Sequence, residues 1–272
     1  MKEKKFSSVP YKIGKPLFYA YCISTLFFLI MPLFIVLPIS FSSSRYLEFP
    51  PAGFSLKWYD NYFSSRSWLS ATRVSLEVAG IVTVLASIFG TLASFAFVRM
   101  QFRGKGAVYS FMISPMMVPL IIIAICIYFL FAHLHLIGTV TGLVIAHTIL
   151  ATPFVIVNVS ATLKGLDLSY ERAAMNLGAT PFKSFWYVVF PMIRPGILSG
   201  AIFAFATSFD ELVIALFISG STAVTLPRMM WDGIRMEINP TIAAVSSLLI
   251  GISATFLIVL ELTRKRNQPS RT

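Results

Sequence analysis

The chain has 272 residues, 57% of them apolar and only 12% charged, with a mean hydropathy of +0.80. That composition excludes an ordinary soluble domain and places the chain among polytopic membrane proteins. Its formal net charge is +11, but the basic residues stand in short stretches beside apolar runs, where they orient a chain in a bilayer and do not signal nucleic acid.

The basic start, MKEKKFSSVPYKIGK, resembles the first region of a signal peptide. The apolar run behind it, residues 17–40, is long and lacks a small-residue cleavage site, so it is predicted as a retained membrane helix. Six apolar stretches meet the need for about 20 residues to cross the hydrocarbon core, near 17–40, 72–98, 107–132, 138–162, 196–219 and 241–262. The expected fold class is therefore all-α, with six transmembrane helices.

Residues 42–70, rich in Ser, Pro and aromatics, read as a folded interfacial loop. Arg73 and Glu77 begin the second span, either as a local pair one turn apart or with Glu77 in a wider acidic cluster. Ser87, Gly90 and Ser94 offer a thin face for close helix contact. Pro115 and Pro119 in the third span and Pro153 in the fourth predict bends, as hinges or as fixed shape. Residues 132–138 form a tight hairpin whose His133 and His135 do not make a metal site, and His147 in span four reads as a helix contact ahead of a proton relay. Cys22 and Cys126 read as small hydrophobes in apolar stretches. Residues 219–240 suggest an amphipathic lid in which Trp231, Asp232, Arg235 and Glu237 either touch a solute receptor or hold a surface helix on the membrane, with Asp232 and Arg235 spaced to share a face.

Sixteen of the 22 basic residues precede span one, follow span six or lie in the segments joining spans two to three and four to five. By the positive-inside rule both termini and the 171–195 hairpin of a multi-pass membrane protein are expected in the cytoplasm. That segment is polar. Asp167 or Ser169 can cap a helix from Tyr170 to Leu177, Gly178 suits a left-handed reversal, and Thr180 with Pro181 can start a second helix through Val189. Pro191 and Pro195 are expected to end it. The product is a capped hairpin, with Ala173 and Ala174 keeping one face thin enough to enter a groove.

Glu171, Ala173, Ala174, Gly178, Phe185, Pro191 and Pro195-Gly196 resemble the EAA loop of permease subunits of binding-protein-dependent ABC importers. The slot six residues before Gly178, which usually holds the motif's Glu, is occupied by Arg172, with Glu171 just before it. The resemblance implies a type I, MetI-like fold and a single permease domain over 1–272. It also implies a coupling hairpin at 167–195 that docks on an ATPase through Glu171, Arg172, Ala173, Ala174, Gly178, Phe185 and Pro191. The implied partners are a second permease, an ATP-binding subunit dimer, an extracytoplasmic solute-binding protein and the bilayer, without nucleic acid. No Walker A pattern is present, so ATP and Mg belong to the ATPase, and this chain is expected to bind no cofactor or metal and to catalyse nothing. SFDELVIALFISG, TLPRMMWDGIRMEINPTIAAVSSLLI and GFSLKWYDNYF are similar to the spermidine/putrescine, PotC-like branch.

Asp210 and Glu211 fall deep in the fifth predicted span, where an acid costs about 2.5–3.5 kcal/mol at the helix centre. Two readings stand: attraction for a cationic solute such as spermidine or putrescine, or a fixed contact between helices. Adjacent acids on a helix point about 100 degrees apart, so both cannot face one partner. Thr207 and Asn158 can line the same path or bond their own helix. The rival functions are an ion-coupled secondary carrier using Asp210 and Glu211, an ABC permease for another small organic solute, and a membrane assembly protein.

Overall fold

The computed structural model describes residues 11–236 and 239–266. They are helical almost throughout: α1 (Tyr11–Ser40), α2 (Lys57–Ser64), α3 (Arg66–Arg99), α4 (Lys105–Ile113), α5 (Leu120–His133), α6 (Val140–Lys164), α7 (Leu168–Asn176), α8 (Pro181–Ser184), α9 (Phe190–Phe209), α10 (Val213–Ile218), α11 (Leu226–Met236) and α12 (Thr241–Arg266). The chain divides into two compact units, residues 66–232 and residues 1–65 with 233–272.

The six-span expectation is corrected. Among the described residues four helices are long and apolar enough to cross a membrane, within α1, α3, α6 and the continuous helix Pro181–Phe209, and a fifth span results only if the bent pair α4–α5 counts as one. The third predicted span is broken because Pro119 has no amide to donate and biases Val118 away from helix. Ser114–Met116 turn as a 3-10 helix, Pro119 is extended at ψ 125° before α5, and the two pieces meet at 101°. The sixth predicted span falls on α12, whose described apolar stretch is Thr241–Thr255; its remainder, 256–262, lies outside the residues whose side chains are described. Pro153, by contrast, lies inside an unbroken α6.

The second helix of the hairpin also differs from expectation. It does not end at Pro191 or Pro195. Phe185–Val189 form a π-turn in which the Phe190 amide bonds to the Phe185 carbonyl, and the helix then runs through both prolines to Phe209. The wider turn sits directly before Pro191, where the ordinary bond to the carbonyl one turn earlier has no donor.

In the 66–232 unit α6 is the central helix and the most buried of the long apolar ones. Leu143, Leu150, Val155, Val159 and Leu163 are buried in one cluster with Val78, Val82 and Ala86 of α3 and Ile193 and Ala204 of α9. Lipid supplies no hydrophobic drive for this association, so close van der Waals contact must carry it. Gly90 and Gly200 allow that contact: a Cβ at Gly90 would lie 2.6 Å from Val155 Cβ, and one at Gly200 would lie 2.9 Å from Val155 Cα. Ser94 Oγ donates to Gly90 O (2.7 Å) and to Ile156 O (3.1 Å), tying α3 to α6 at the same level. Gly200→Leu is therefore expected to destabilise the unit by about 1–3 kcal/mol, read as a lowered unfolding temperature of the purified chain in detergent.

In the other unit α12 lies against α1 and α2. The predicted interfacial loop is folded: Ser43 N donates to Gly53 O (2.9 Å) and Trp58 Nε1 to Ser44 O (3.2 Å). Tyr59 OH bridges Ser40 Oγ (2.7 Å) and Ser247 Oγ (2.6 Å), and Asn61 Nδ2 donates to Thr241 Oγ1 (2.8 Å), which fastens α2 to α12.

Candidate functional site

The hairpin forms where its caps place it. Asp167 Oδ1 accepts from Ser169 N (2.8 Å) at the start of α7, and Thr180 Oγ1 accepts from Lys183 N (3.3 Å) at the start of α8, with Pro181 in the first turn. The Ser169 amide holds the Asp167 carboxyl below its ordinary range. A depressed carboxyl favours the folded cap above its unfolded pKa and loses that advantage only as pH falls through the lowered value. Gly178 takes φ +89°, and the Gly178 and Ala179 amides return to Met175 O (2.9 Å) and Ala174 O (3.1 Å), closing α7 with a left-handed reversal.

The hairpin's side chains face two ways. Glu171 turns inward, its Oε1 2.6 Å from Nη2 of Arg99, the last residue of α3, with the two side chains 17% and 13% exposed. Arg99 also donates to Leu166 O at 3.5 Å. Phe185, half-buried, packs edge-on against Phe95 of α3 at 5.4 Å. Ala174 and Pro191 are half-buried, whereas Arg172, Ala173 and Gly178 are exposed. Around them Tyr170, Leu177, Phe182, Trp186 and Tyr187 also stand exposed, Leu177 at 90%. These exposed apolar side chains stand on an otherwise polar segment.

A second polar cluster sits at a helix break. α9 stops at Phe209, and α10 starts at Val213. Glu211 is buried between them, with Oε1 accepting from Ile214 N (2.9 Å) and Oε2 from Ala215 N (3.1 Å), so its carboxylate satisfies the first amides of α10. Its Oε2 is also 3.5 Å from His147 Nε2, while His147 Nδ1 meets Ser208 Oγ at 3.0 Å. Asp210 is exposed, next to Phe209, whose ring stacks on the exposed Phe205 at 5.7 Å. Thr207 is half-buried, and Asn158 ties α6 to α9 by accepting from Ser199 Oγ (3.1 Å) while its Nδ2 donates to Phe154 O (2.8 Å). Arg73 and Glu77 are both exposed and form no ion pair with each other.

On α11, Asp232 pairs with Arg228 one turn earlier (3.6 Å). Arg228 also reaches Ser219 Oγ and Ala215 O, and Leu226 N donates to Ser75 Oγ at 2.7 Å. Trp231 and Arg235 are exposed. Glu237 lies outside the described residues. The contacts that sequence reasoning missed are Arg99 with Glu171, His147 with Glu211 and Arg228 with Asp232. An arginine closing a long apolar helix and a histidine inside another were the available signals.

In the 66–232 unit long apolar helices pack on one buried helix, with a capped hairpin between two of them and polar groups held at a helix break, as in a multi-pass membrane protein. Residues 86–270 match the family described as "Binding-protein-dependent transport system inner membrane component"; the chain belongs to that family. The putrescine transport system permease protein PotI of Escherichia coli strain K12 is 39% identical over 232 residues, 82% of each chain. The spermidine/putrescine transport system permease protein PotC of the same strain is 30% identical over 245 residues, 90% of this chain and 92% of that one. A solved bacterial ABC transporter involved in the import of the acidic polysaccharide alginate superposes with a TM-score of 0.73 at 14% identity, covering 97% of this chain and 100% of that one. At that identity the likeness speaks for the fold alone. The fold is thus all-α and MetI-like, with four or up to five spans. The protein is the membrane permease subunit of an ABC importer, coupled to an ATPase partner, and has no catalytic domain of its own. That removes the secondary carrier and the assembly protein as readings of its function.

Proposed function

We propose that this permease, acting through residues 1–272 as one transmembrane domain of the PotC-like branch, passes a small cationic solute, spermidine or putrescine. The observation that carries the proposal is the exposed Asp210 carboxylate beside the stacked Phe205 and Phe209 at the α9–α10 break. A carboxylate with aromatic faces attracts an organic ammonium by charge and by cation–π contact, and Thr207 lies one turn away on the same helix. Glu211 is occupied with α10, and Asn158 with α9, so in this reading they shape the path and Asp210 meets the cargo. Similarity to the two polyamine permeases supports the substrate class. The fold does not choose it, since the same architecture serves an acidic polysaccharide importer.

The path lies between this chain and a second permease. The hairpin faces the cytoplasm with the two basic ends of the chain, and its exposed apolar patch with Arg172, Ala173 and Gly178 seats on the ATP-binding subunit dimer. Glu171, Ala174, Phe185 and Pro191 act from behind, linking that seat to α3 and α9. Trp231, Asp232, Arg235 and Glu237 belong to the surface offered to an extracytoplasmic solute-binding protein. The test is ATPase stimulation of the purified assembly by receptor loaded with spermidine or putrescine, together with uptake by Asp210→Asn. Stimulation is expected, and Asp210→Asn should lower uptake about tenfold, the scale of one charge-assisted contact, at unchanged expression. Normal uptake by that variant removes Asp210 from the path, and stimulation by neutral solutes alone refutes the cation.

A further inference from the structure

A cavity of about 340 Å³ opens where the C-terminal ends of α3 and α6 meet the first turns of α4. Phe97, Val98, Lys105, Gly106, Tyr109, Ser160 and Lys164 line it, with no acidic side chain among them. The polar lining is built. Lys105 Nζ donates to Met100 O at 2.9 Å, which holds its ammonium at the end of α3. The Tyr109 ring packs edge-on against Phe97 at 5.2 Å. Ser160 is 4% exposed, and its Oγ has no hydrogen-bond partner. A helix serine usually donates to the carbonyl one turn earlier; Ser160 Oγ does not. Gly106 adds the first turn of a nine-residue helix, where amides lack acceptors within the helix.

Two lysines, a buried hydroxyl donor and a helix start converge with no carboxylate to answer them. We propose that this cavity holds a phosphate group. Its oxygens would accept from Lys105, Lys164 and Ser160, and Phe97, Val98 and the Tyr109 ring form an apolar wall suited to the glycerol and upper acyl carbons of a phospholipid. The cavity borders the stretch Arg99, Arg103 and Lys105, the side that basic residues mark as facing the anionic inner leaflet. A free phosphate would satisfy the same donors but leave the apolar wall uncovered.

The sources separate in two preparations of the full chain purified with its native partners. In nanodiscs of phosphatidylglycerol, native mass spectrometry should retain more bound lipid on the wild type than in discs of zwitterionic phosphatidylcholine, whose choline cation offsets its phosphate beside the lysines, and more than on a lysine variant in either lipid. Retention should fall about fivefold for each of Lys105→Gln and Lys164→Gln, the scale of one lysine at an anionic surface. In phosphate-free maltoside micelles, inorganic phosphate should raise the unfolding temperature over chloride at equal ionic strength if a free ion is the ligand. Ser160→Ala leaves both charges and the backbone in place, so it tests the site even where a lysine variant fails to fold, and it should weaken retention or the phosphate effect. Phosphate stabilisation without retained lipid supports a site for a soluble phosphate. Equal retention by wild type and all three variants, with no phosphate effect, overturns the proposal.

Discussion

Glu211→Leu is expected to lower the stability of the permease by about 2–4 kcal/mol, the cost of leaving two buried amides of α10 without their acceptor. Leucine fills a similar volume, so the loss isolates the carboxylate's bonds. In the native protein those oxygens accept from Ile214 N and Ala215 N at 2.9 and 3.1 Å and face His147 Nε2 at 3.5 Å. Each orphaned amide in an apolar setting costs about 1–3 kcal/mol, and water cannot reach them at a residue only 6% exposed. The measurement is thermal unfolding of purified chain in detergent, followed by tryptophan emission. Glu211→Gln keeps one carbonyl acceptor for the α10 amides and should fall between wild type and Glu211→Leu. A cycle of Glu211→Leu with His147→Leu should show a coupling of about 0.5–3 kcal/mol, the range for residues in contact. Unchanged stability in Glu211→Leu would mean that α10 does not depend on this cap.

The same break explains what the sequence could and could not reveal. Asp210 and Glu211 could be recognised as costly acids, but nothing at 210–212 is a glycine or proline, so the run of apolar residues from 196 to 219 looked like one helix. The separation of the two acids, one capping α10 and one exposed, depends on that break and on His147, 64 positions earlier in the chain but beside Glu211 in space. The hairpin was legible because its determinants are local: Asp167, Gly178, Thr180 and Pro181 each act within four residues of their own position. Its continuation through Pro191 and Pro195 was not, because a π-turn exchanges one register of backbone bonds for another without a compositional trace. Hydropathy likewise detects that residues 107–132 are apolar but not that Pro119 folds them back by 101°. The packing role of Gly90 and Ser94 could be read from spacing, whereas their partner, Val155, could not.

The ion pair between Arg99 and Glu171 joins the hairpin to the end of α3, and its loss is expected to disconnect the two before it unfolds either. At 13% and 17% exposure the ion pair stands between the surface case, about 0.2–1 kcal/mol, and the loss of one partner of a buried pair, about 3–5 kcal/mol, so its loss costs about 1–2 kcal/mol. Glu171→Gln should therefore raise the opening of α7 about 5–30-fold, read by hydrogen exchange across Leu168–Asn176, while the α3–α6–α9 core keeps its protection. If the hairpin seats on the ATPase as proposed, one that swings free of α3 transmits less of the ATPase's closure, so ATP hydrolysis should persist while uptake falls. Restoring the pair in reverse, Arg99→Glu with Glu171→Arg, should recover uptake above either single variant. The recovery is incomplete because only arginine at position 99 also donates to Leu166 O. A reversed pair no better than the singles would show that Glu171 serves the ATPase directly, with Arg99 merely nearby. Full uptake by Glu171→Gln with faster exchange would show that the hairpin's grip on α3 comes from Phe185 against Phe95, and that the charges orient the hairpin without carrying force.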